Sequence, residues 1–315
     1  QNLTQAQGTA NEISYTIEIG SANPAGHWVY ALAAPFPTVR DEVSASWLKN
    51  LWQGQPEDTV RTLLVSEDDL PALISILGEP GETVRTLPED QLLETAWTTQ
   101  NTWAIIPFEE IQPRWKILVI DGQSPIHKDF AAEQYALNVP ISVSIADSDD
   151  ASELPPELSA VVLSNLDPSK ITTVMLTGVT AMVRATAVGM DERGILVPAE
   201  KIASVMQQAD LLHISNEVPF AEVCPPHTLG DYLVFCTPES YMELLRNIGT
   251  DIVELTGDHF QDYGRDGMLF TLALYEKEGW PVYGGGEDIF DARKPVKLEI
   301  NGNKIAFIGC NAKSP

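Results

Sequence analysis

Basic residues are scarce in this chain: 19 Lys and Arg stand against 45 Asp and Glu, a formal net charge of -26 over 315 residues. The deficit runs the whole length, since residues 1–165 hold 7 basic and 24 acidic side chains and the remainder holds 12 and 21. Such a chain repels phosphate backbones throughout, which excludes nucleic acid as a partner. Any anionic substrate needs local rescue by a cation or a small basic cluster. Long apolar runs are missing as well. No stretch approaches the roughly 20 residues that cross a bilayer, so no transmembrane segment is expected. Cysteines number only three, too few for a disulfide scaffold. Cys224 and Cys236 flank a loop containing Pro-Pro and Gly-Asp. They are either a bridge, with the oxidising extracytoplasmic location that implies, or two reduced thiols. Cys310 is left over.

What is present is enough apolar content, 44%, for two domain cores. Residues 1–14 are polar and helix-poor, and read as a flexible arm. The acidic, Pro-containing stretch DSDDASELPPELSA, Asp147 to Ala160, has no sustained periodicity and reads as a linker. Two α/β domains are therefore expected, over 15–160 and 161–315. In the first, Thr38 is the expected N-cap of a helix with Val43, Trp47, Leu48 and Leu51 on one stripe and Gly54 as its stop. RTLLVS reads as a strand, and the helix after it is expected to run from a Ser66 cap to Gly78. TWAIIPF and WKILVID read as two more strands.

The segment WAIIPFEEIQPRWKILVIDGQSPI, Trp103 to Ile126, resembles the strand, Pro-Phe turn, Arg loop and Asp-Gly-x-Ser-Pro strand of phosphate-type periplasmic solute-binding proteins. The resemblance implies a solute-binding-like lobe, with a ligand crevice near Arg114 and Ser124 or a lobe reduced to a structural platform. The Gly-Ser-Thr loop that would cradle an oxyanion is not evident in GSANPAGHWVY.

Downstream, Ile171–Gly178, Asp210–Ser215, Asp251–Gly257 and Lys304–Gly309 read as four buried strands, the first three followed by helix-like segments. Helices are expected through VPAEKIASVMQQ, PESYMELLRNIG and DGMLFTLALYEKEG, the last starting near Asp266 and ending at Gly279. Strand–helix alternation predicts parallel strands whose C-terminal ends form one crevice. The residues expected to converge there are Thr180, Asn216, Glu217, Asp258, His259 and Asn311. Carboxylate, imidazole and amide oxygen together suit a divalent metal such as Mn, Zn or Fe. The same set also makes a polar crevice without metal.

SNEVPF, DIVELTGDHFQDYG, GWPVYGGGEDIFDARKP and KIAFIGCN, in that order, resemble signatures of the CapA (poly-γ-glutamate capsule synthesis) family. The resemblance implies a domain of the calcineurin-like metallophosphoesterase type. It also implies work on an anionic surface polymer, or with other cell-envelope components, in a secreted or cell-surface bacterial protein. Val179 stands where the family's metal-binding Asp is expected, while Arg184 is kept. Ser215, Asn216 and Glu217 match its Asn-x-Glu with the first Asn lost. Gly257, Asp258 and His259 match its Asn-Asn-His with a carboxylate in place of an amide, and Asp262-Tyr263-Gly264 match its Asp-Tyr-Gly. By resemblance, His259, Asp258 and Arg184 would carry metal-assisted hydrolysis or transfer, and Glu217, Asp258, His259 and Asn216 would hold the cation. The family continues past the FIGCN-like strand into further histidines, and the four matched positions alone do not assemble a two-metal centre. The competing reading is a non-catalytic binding or scaffold protein with a degenerate site.

The remaining features take plainer readings. YGGGED lacks the Lys-Ser/Thr of a phosphate loop and reads as a strand-to-helix turn. His213 reads as a sheet-face histidine and His227 as an exposed loop residue; His27 and His127 show no ligand spacing. Trp28, Trp47, Trp52, Trp97, Trp103 and Trp115 crowd the first half, as core packing or as an aromatic groove.

Overall fold

The computed structural model describes residues 5–10, 13–20, 24–145, 163–230 and 233–311. The chain divides into two compact units, Gln1–Ile171 and Thr172–Pro315. Both are mixed α/β. The linker expected over 147–160 lies outside the described residues.

Unit 1 contains β1 (Gln5–Ala10), β2 (Ile13–Ile19), β3 (Gly26–Pro35), β4 (Glu42–Val43), α1 (Ala45–Trp52), β5 (Thr62–Ser66), α2 (Leu70–Leu77), β6 (Val84–Leu87), α3 (Glu89–Thr98), β7 (Thr102–Pro107), β8 (Trp115–Ile117), β9 (Val119–Ile120) and β10 (Asn138–Ile145). The main sheet runs β1-β2-β10-β3-β7-β5-β6, with β8 added on β3. Its β5, β6 and β7 are mutually parallel and the other pairings are antiparallel. Residues 5–10, expected in a flexible arm, are a strand in register with β2. Main-chain pairing of a sheet edge needs no apolar side chains, so a polar segment can supply it.

Both faces of this sheet are covered. Trp47, Leu48, Leu51 and Trp52 of α1 and Leu73 and Leu77 of α2 pack on one face with Leu32, Leu63 and Ile105. Leu92 and Ala96 of α3 pack on the other with Ala31, Ala33, Leu64 and Trp115. Burial on both faces explains why the strands read as unbroken apolar runs. Helix α1 starts later than the sequence suggested. Ser44 caps it through a bond from the Trp47 N–H, 3.1 Å, and Val43 belongs to β4, paired with β9. Ser66 ends β5, and Asp69 holds the N-cap position of α2.

Unit 2 contains β11 (Val174–Val179), α4 (Arg184–Arg193), α5 (Ala203–Met206), β12 (Leu211–Ser215), β13 (Phe220–Ala221), β14 (Thr237–Pro238), α6 (Met242–Asn247), β15 (Ile252–Glu254), α7 (Gly264–Glu278), β16 (Val282–Tyr283), α8 (Ile289–Ala292), β17 (Val296–Ile300) and β18 (Asn303–Phe307). The sheet β11-β12-β15-β16 is wholly parallel. The expected fourth strand, Lys304–Gly309, does not join it. Its residues 303–307 are β18, which pairs antiparallel with β17 across the turn Asn301-Gly302, both residues at positive φ. The fourth position belongs to β16. Helices α4, α6 and α7 cover one face through Ala187, Met190, Leu245, Met268 and Tyr275. The β17–β18 hairpin covers the other through Leu298, Ile300 and Phe307. Helix α7 ends where expected, at Gly279 with φ 76°.

Candidate functional site

In unit 2 the register aligns Val179, Ser215, Glu254 and Tyr283 across the C-terminal edge of the parallel sheet. Main-chain bonds Thr180 N–H to Ser215 O, 2.7 Å, Asn216 N–H to Glu254 O, 3.1 Å, and Leu255 N–H to Tyr283 O, 3.0 Å, carry the alignment one residue further. The loops that follow therefore emerge together, as parallel topology requires. Asn311 arrives by another route. Gly309 stands against Gly284 and Thr256, so the end of the hairpin returns to this edge although β18 is not in the sheet.

The central pair is His259 and Asp262. Nδ1 of His259 donates to Asp262 Oδ2 at 2.8 Å, because a carboxylate can only accept there, and this leaves Nε2 as the chemically available nitrogen. The same carboxylate oxygen accepts the Phe235 N–H at 2.7 Å. The Phe235 ring meets His259 edge-on at 4.7 Å and lies under the Arg184 guanidinium, 5.1 Å from ring centroid to Cζ. Asp258 Oδ1 is 3.8 Å from His259 Nε2. Arg184, Asp258 and His259 are thus drawn around one another by Asp262, which the sequence marked only as part of a matched Asp-Tyr-Gly, and by Phe235, which it did not single out. The His-x-x-Asp spacing carried the signal for Asp262.

Glu217 packs directly over Gly257, where any Cβ would collide with its side chain. The position of the family's first Asn is therefore open only to glycine here. Asn216 is fully buried and donates through Nδ2 to Val218 O, 3.2 Å, and Tyr275 Oη, 2.5 Å; its Oδ1 has no partner among the described residues. Val179, 59% exposed, supplies no donor at the end of β11. Among the described residues no three His, Cys, Asp or Glu side chains stand close enough to hold a metal ion. Asp258 and His259 form a two-donor lip, which on its own falls short of a coordination sphere.

Beside this lip the chain makes a closed excursion. β13 and β14 pair in parallel at its base, and Cys224 and Cys236 are joined by a disulfide with Cα atoms 5.8 Å apart. His227 lies in this loop and is not the exposed residue expected from sequence. Its side chain is 9% exposed, its Nδ1 is 3.0 Å from Asp191 Oδ2, and its ring stacks on Tyr241. The reason is Asp191 on α4, which the loop folds back to meet. Burial pushes the Asp191 carboxyl up, and the hydrogen bonds from Tyr241 and His227 outweigh it, leaving it below the usual carboxylate range. His213 sits as read. It is buried on the sheet face, bonded to Tyr283 Oη at 2.7 Å and stacked on Phe307.

Unit 1 presents the same kind of sheet edge with a different set of side chains. After the parallel strands β5, β6 and β7 come Asp69, Glu89, Glu109 and Glu110. Burial raises the carboxyls of Asp69 and Glu109, and a shared hydrogen bond with Glu110 raises Glu89 to about 7. Arg114 is bound to Glu94 and stacked on Trp97, 4.7 Å to the ring centroid. Arg114 lines a cavity of about 570 Å³ with Glu89, Asp90, Glu94 and Glu110; Ser124 is buried elsewhere and does not line it. Trp47, Trp52, Trp103 and Trp115 are buried in the core.

The strand ends of this α/β layer thus gather an oriented histidine, a guanidinium and a disulfide-closed loop. Residues 173–314 match the family described as bacterial capsule synthesis protein PGA_cap, so unit 2 carries a PGA_cap domain. The chain is 28% identical over 74 residues to the PGA biosynthesis protein CapA of Bacillus subtilis (strain 168), covering 23% of this chain and 20% of that protein. The chain thus spans about a fifth of the curated relative it matches. Over the N-terminal part it resembles solved phosphate-type receptors. These include an ABC-type phosphate transport receptor from Vibrio cholerae, with TM-score 0.36, 13% identity, and 46% of this chain and 64% of that one covered. PstS from Borrelia burgdorferi gives TM-score 0.34 and 8% identity, with 43% and 62% covered.

Proposed function

We propose that this is an extracytoplasmic protein of capsule biosynthesis whose second unit handles an anionic, carboxylate-rich surface polymer of the poly-γ-glutamate kind. The observation that carries the reading is the His259–Asp262 pair set beside Arg184 within the segment that matches the capsule synthesis family. The Cys224–Cys236 disulfide supports a location outside the cytoplasm. Asp262 fixes the imidazole with Nε2 outward, where it takes a proton from attacking water or an incoming amine at an acyl or phosphoryl centre and returns it to the leaving group. Arg184 offsets the negative charge of substrate and transition state. A divalent cation at Asp258 and His259, with Glu217 beside them, would polarise the reacting oxygen but would occupy the same Nε2, so it is an alternative to this proton transfer and not an addition to it. The described donors do not complete its shell, and no step here depends on it.

The test is hydrolysis or transfer of a γ-glutamyl amide by the purified protein. His259→Gln is expected to lower the rate by about 10²–10⁴-fold, the usual range for losing a general acid–base. An unchanged rate overturns the catalytic reading. The incomplete donor set favours a second reading, a binding scaffold on the same polymer, which predicts polymer binding with no turnover in either protein.

A further inference from the structure

At the N-terminal ends of β5 and β7, the strand edge opposite the carboxylates of unit 1, lies a cavity of about 410 Å³. It opens between the end of β3, the approach to β5 and the turn after α3, and its size is that of a small-molecule site, about 300–1,000 Å³. Arg40 and Asp58, bound to each other, are the charged side chains of its lining. Asp58 also accepts from Trp47 Nε1 at 3.1 Å and from the Val60 N–H at 3.0 Å, so its carboxylate is already satisfied. The cavity is therefore electrically neutral in a chain of net charge -26. By contrast, the cavity beside Arg114 sets Glu89, Asp90, Glu94 and Glu110 against one guanidinium.

The other polar groups of the lining are hydroxyls and amides that the fold leaves uncommitted. The side chains of Thr38, Thr59, Thr99, Gln100 and Asn101 make no hydrogen bond to other described residues. Helix α3 ends in this wall with no basic residue in its last turn, and the Ala96, Trp97 and Thr98 carbonyls receive no main-chain N–H among the described residues. The negative end of the helix repels an anion and accepts hydroxyl protons. Trp97 supplies a flat apolar wall. Its ring is 37% exposed, and Arg114 lies over one face at 4.7 Å from the ring centroid. Arg114 does not line this cavity, so the ring reaches it by its other face or its edge. Trp103, packed on Trp47 with ring centroids 5.3 Å apart, adds a second ring.

We propose that this cavity binds a neutral sugar unit, its C–H face on Trp97 and its hydroxyls bonded to Thr59, Thr99, Gln100 and the open carbonyls of α3. A pyranose has an apolar face that matches an indole and a rim of uncharged donors and acceptors that matches threonine and amide groups. An anion meets the helix end instead, and a cation finds no uncommitted carboxylate. The site belongs to unit 1 and is independent of the reading of unit 2.

The test is calorimetric titration of the intact protein with glucose, N-acetylglucosamine, maltotriose and triacetylchitotriose. Trigalacturonate and a blocked trialanine peptide serve as a charged chain and an uncharged non-sugar. At least one neutral sugar should bind, about tenfold or more ahead of both comparison compounds. Trp97→Ala should weaken that binding by at least about tenfold, the usual loss at an aromatic anchor, and Trp97→Phe should keep most of it. Thr59→Trp, at an exposed position of the lining, should block binding with the thermal midpoint unchanged, and Phe290→Ala in unit 2 should leave affinity unchanged. A trimer that binds more tightly than its single unit upholds the site and assigns it a glycan chain; equal binding upholds it for a free sugar. Equal or tighter binding of trigalacturonate or of the peptide overturns the neutral-sugar assignment. Sugar binding that survives both Trp97→Ala and Thr59→Trp overturns the site, and no binding of any of the four neutral sugars overturns the proposal as a whole.

Discussion

The two units build the same kind of parallel strand edge and load it differently. In unit 1 the edge is crowded with Asp69, Glu89, Glu109 and Glu110, and the nearby cation, Arg114, is already bound to Glu94. In unit 2 the edge gathers His259, Asp258, Asp262 and Arg184 around Phe235. A shared architecture therefore says little about ligand charge. The side chains that follow the strands decide it, carboxylates alone after β5, β6 and β7 and an imidazole among carboxylates in unit 2.

The contrast can be broken most forcefully by mutation of each core. Trp52 is fully buried in unit 1 and its Nε1 donates to Gly78 O at 2.8 Å. Trp52→Ala should cost about 3–5 kcal/mol, the usual range for emptying such a site. Hydrogen exchange should show the loss in unit 1. Replacing Cys224 and Cys236 with Ser should cost about 3 kcal/mol, the loop-closure value for a crosslink over a dozen or so residues, and the loss should fall on unit 2. Reductant should do the same to the unsubstituted protein and nothing further to the double variant.

A smaller and more discriminating effect is expected from pH. The folded values of Asp69, Glu89 and Glu109 are raised, so the stability they contribute is present below the ordinary carboxylate range and is lost as pH rises, for Glu89 through about 7. In unit 2, Asp191 and Glu278 are lowered, Glu278 by its bond from Arg246, so their contribution is present above the ordinary range and lost on acidification. Burial lowers His213, which adds to the loss as pH falls below the ordinary histidine value. From pH 5 to 7.5, local stability by hydrogen exchange should fall in unit 1 and rise in unit 2. Glu89→Gln should flatten the first slope; parallel slopes in the two units would remove this part of the contrast. The smallest effect is at the Arg246–Glu278 pair, half exposed, where Arg246→Gln should cost about 0.2–1 kcal/mol and less at high salt.

Much of the fold could be read in the sequence because both sheets bury two faces and so write apolar runs. β7, β12 and the Gly279 stop of α7 follow directly from such runs and their punctuation. What could not be read was pairing. Lys304–Gly309 has the composition of a buried strand, yet the Asn301-Gly302 turn turns it into a hairpin that covers the sheet from outside. Gln5–Ala10 pairs through its backbone, which leaves no mark in hydropathy. At the site, Arg184, Asp258 and His259 were legible from their motif. Phe235 and the Asp191–His227 contact depend on where a disulfide-closed loop folds, a long-range fact that no local pattern encodes.

The most direct test of the central claim is the turnover of a γ-linked glutamate oligomer by the intact protein, with Mn2+ present and absent, beside His259→Gln and Asp262→Asn. The account predicts amine release or chain transfer that both substitutions reduce by about 10²-fold or more, as expected when an oriented acid–base pair is removed. Equal turnover in all three proteins would contradict it.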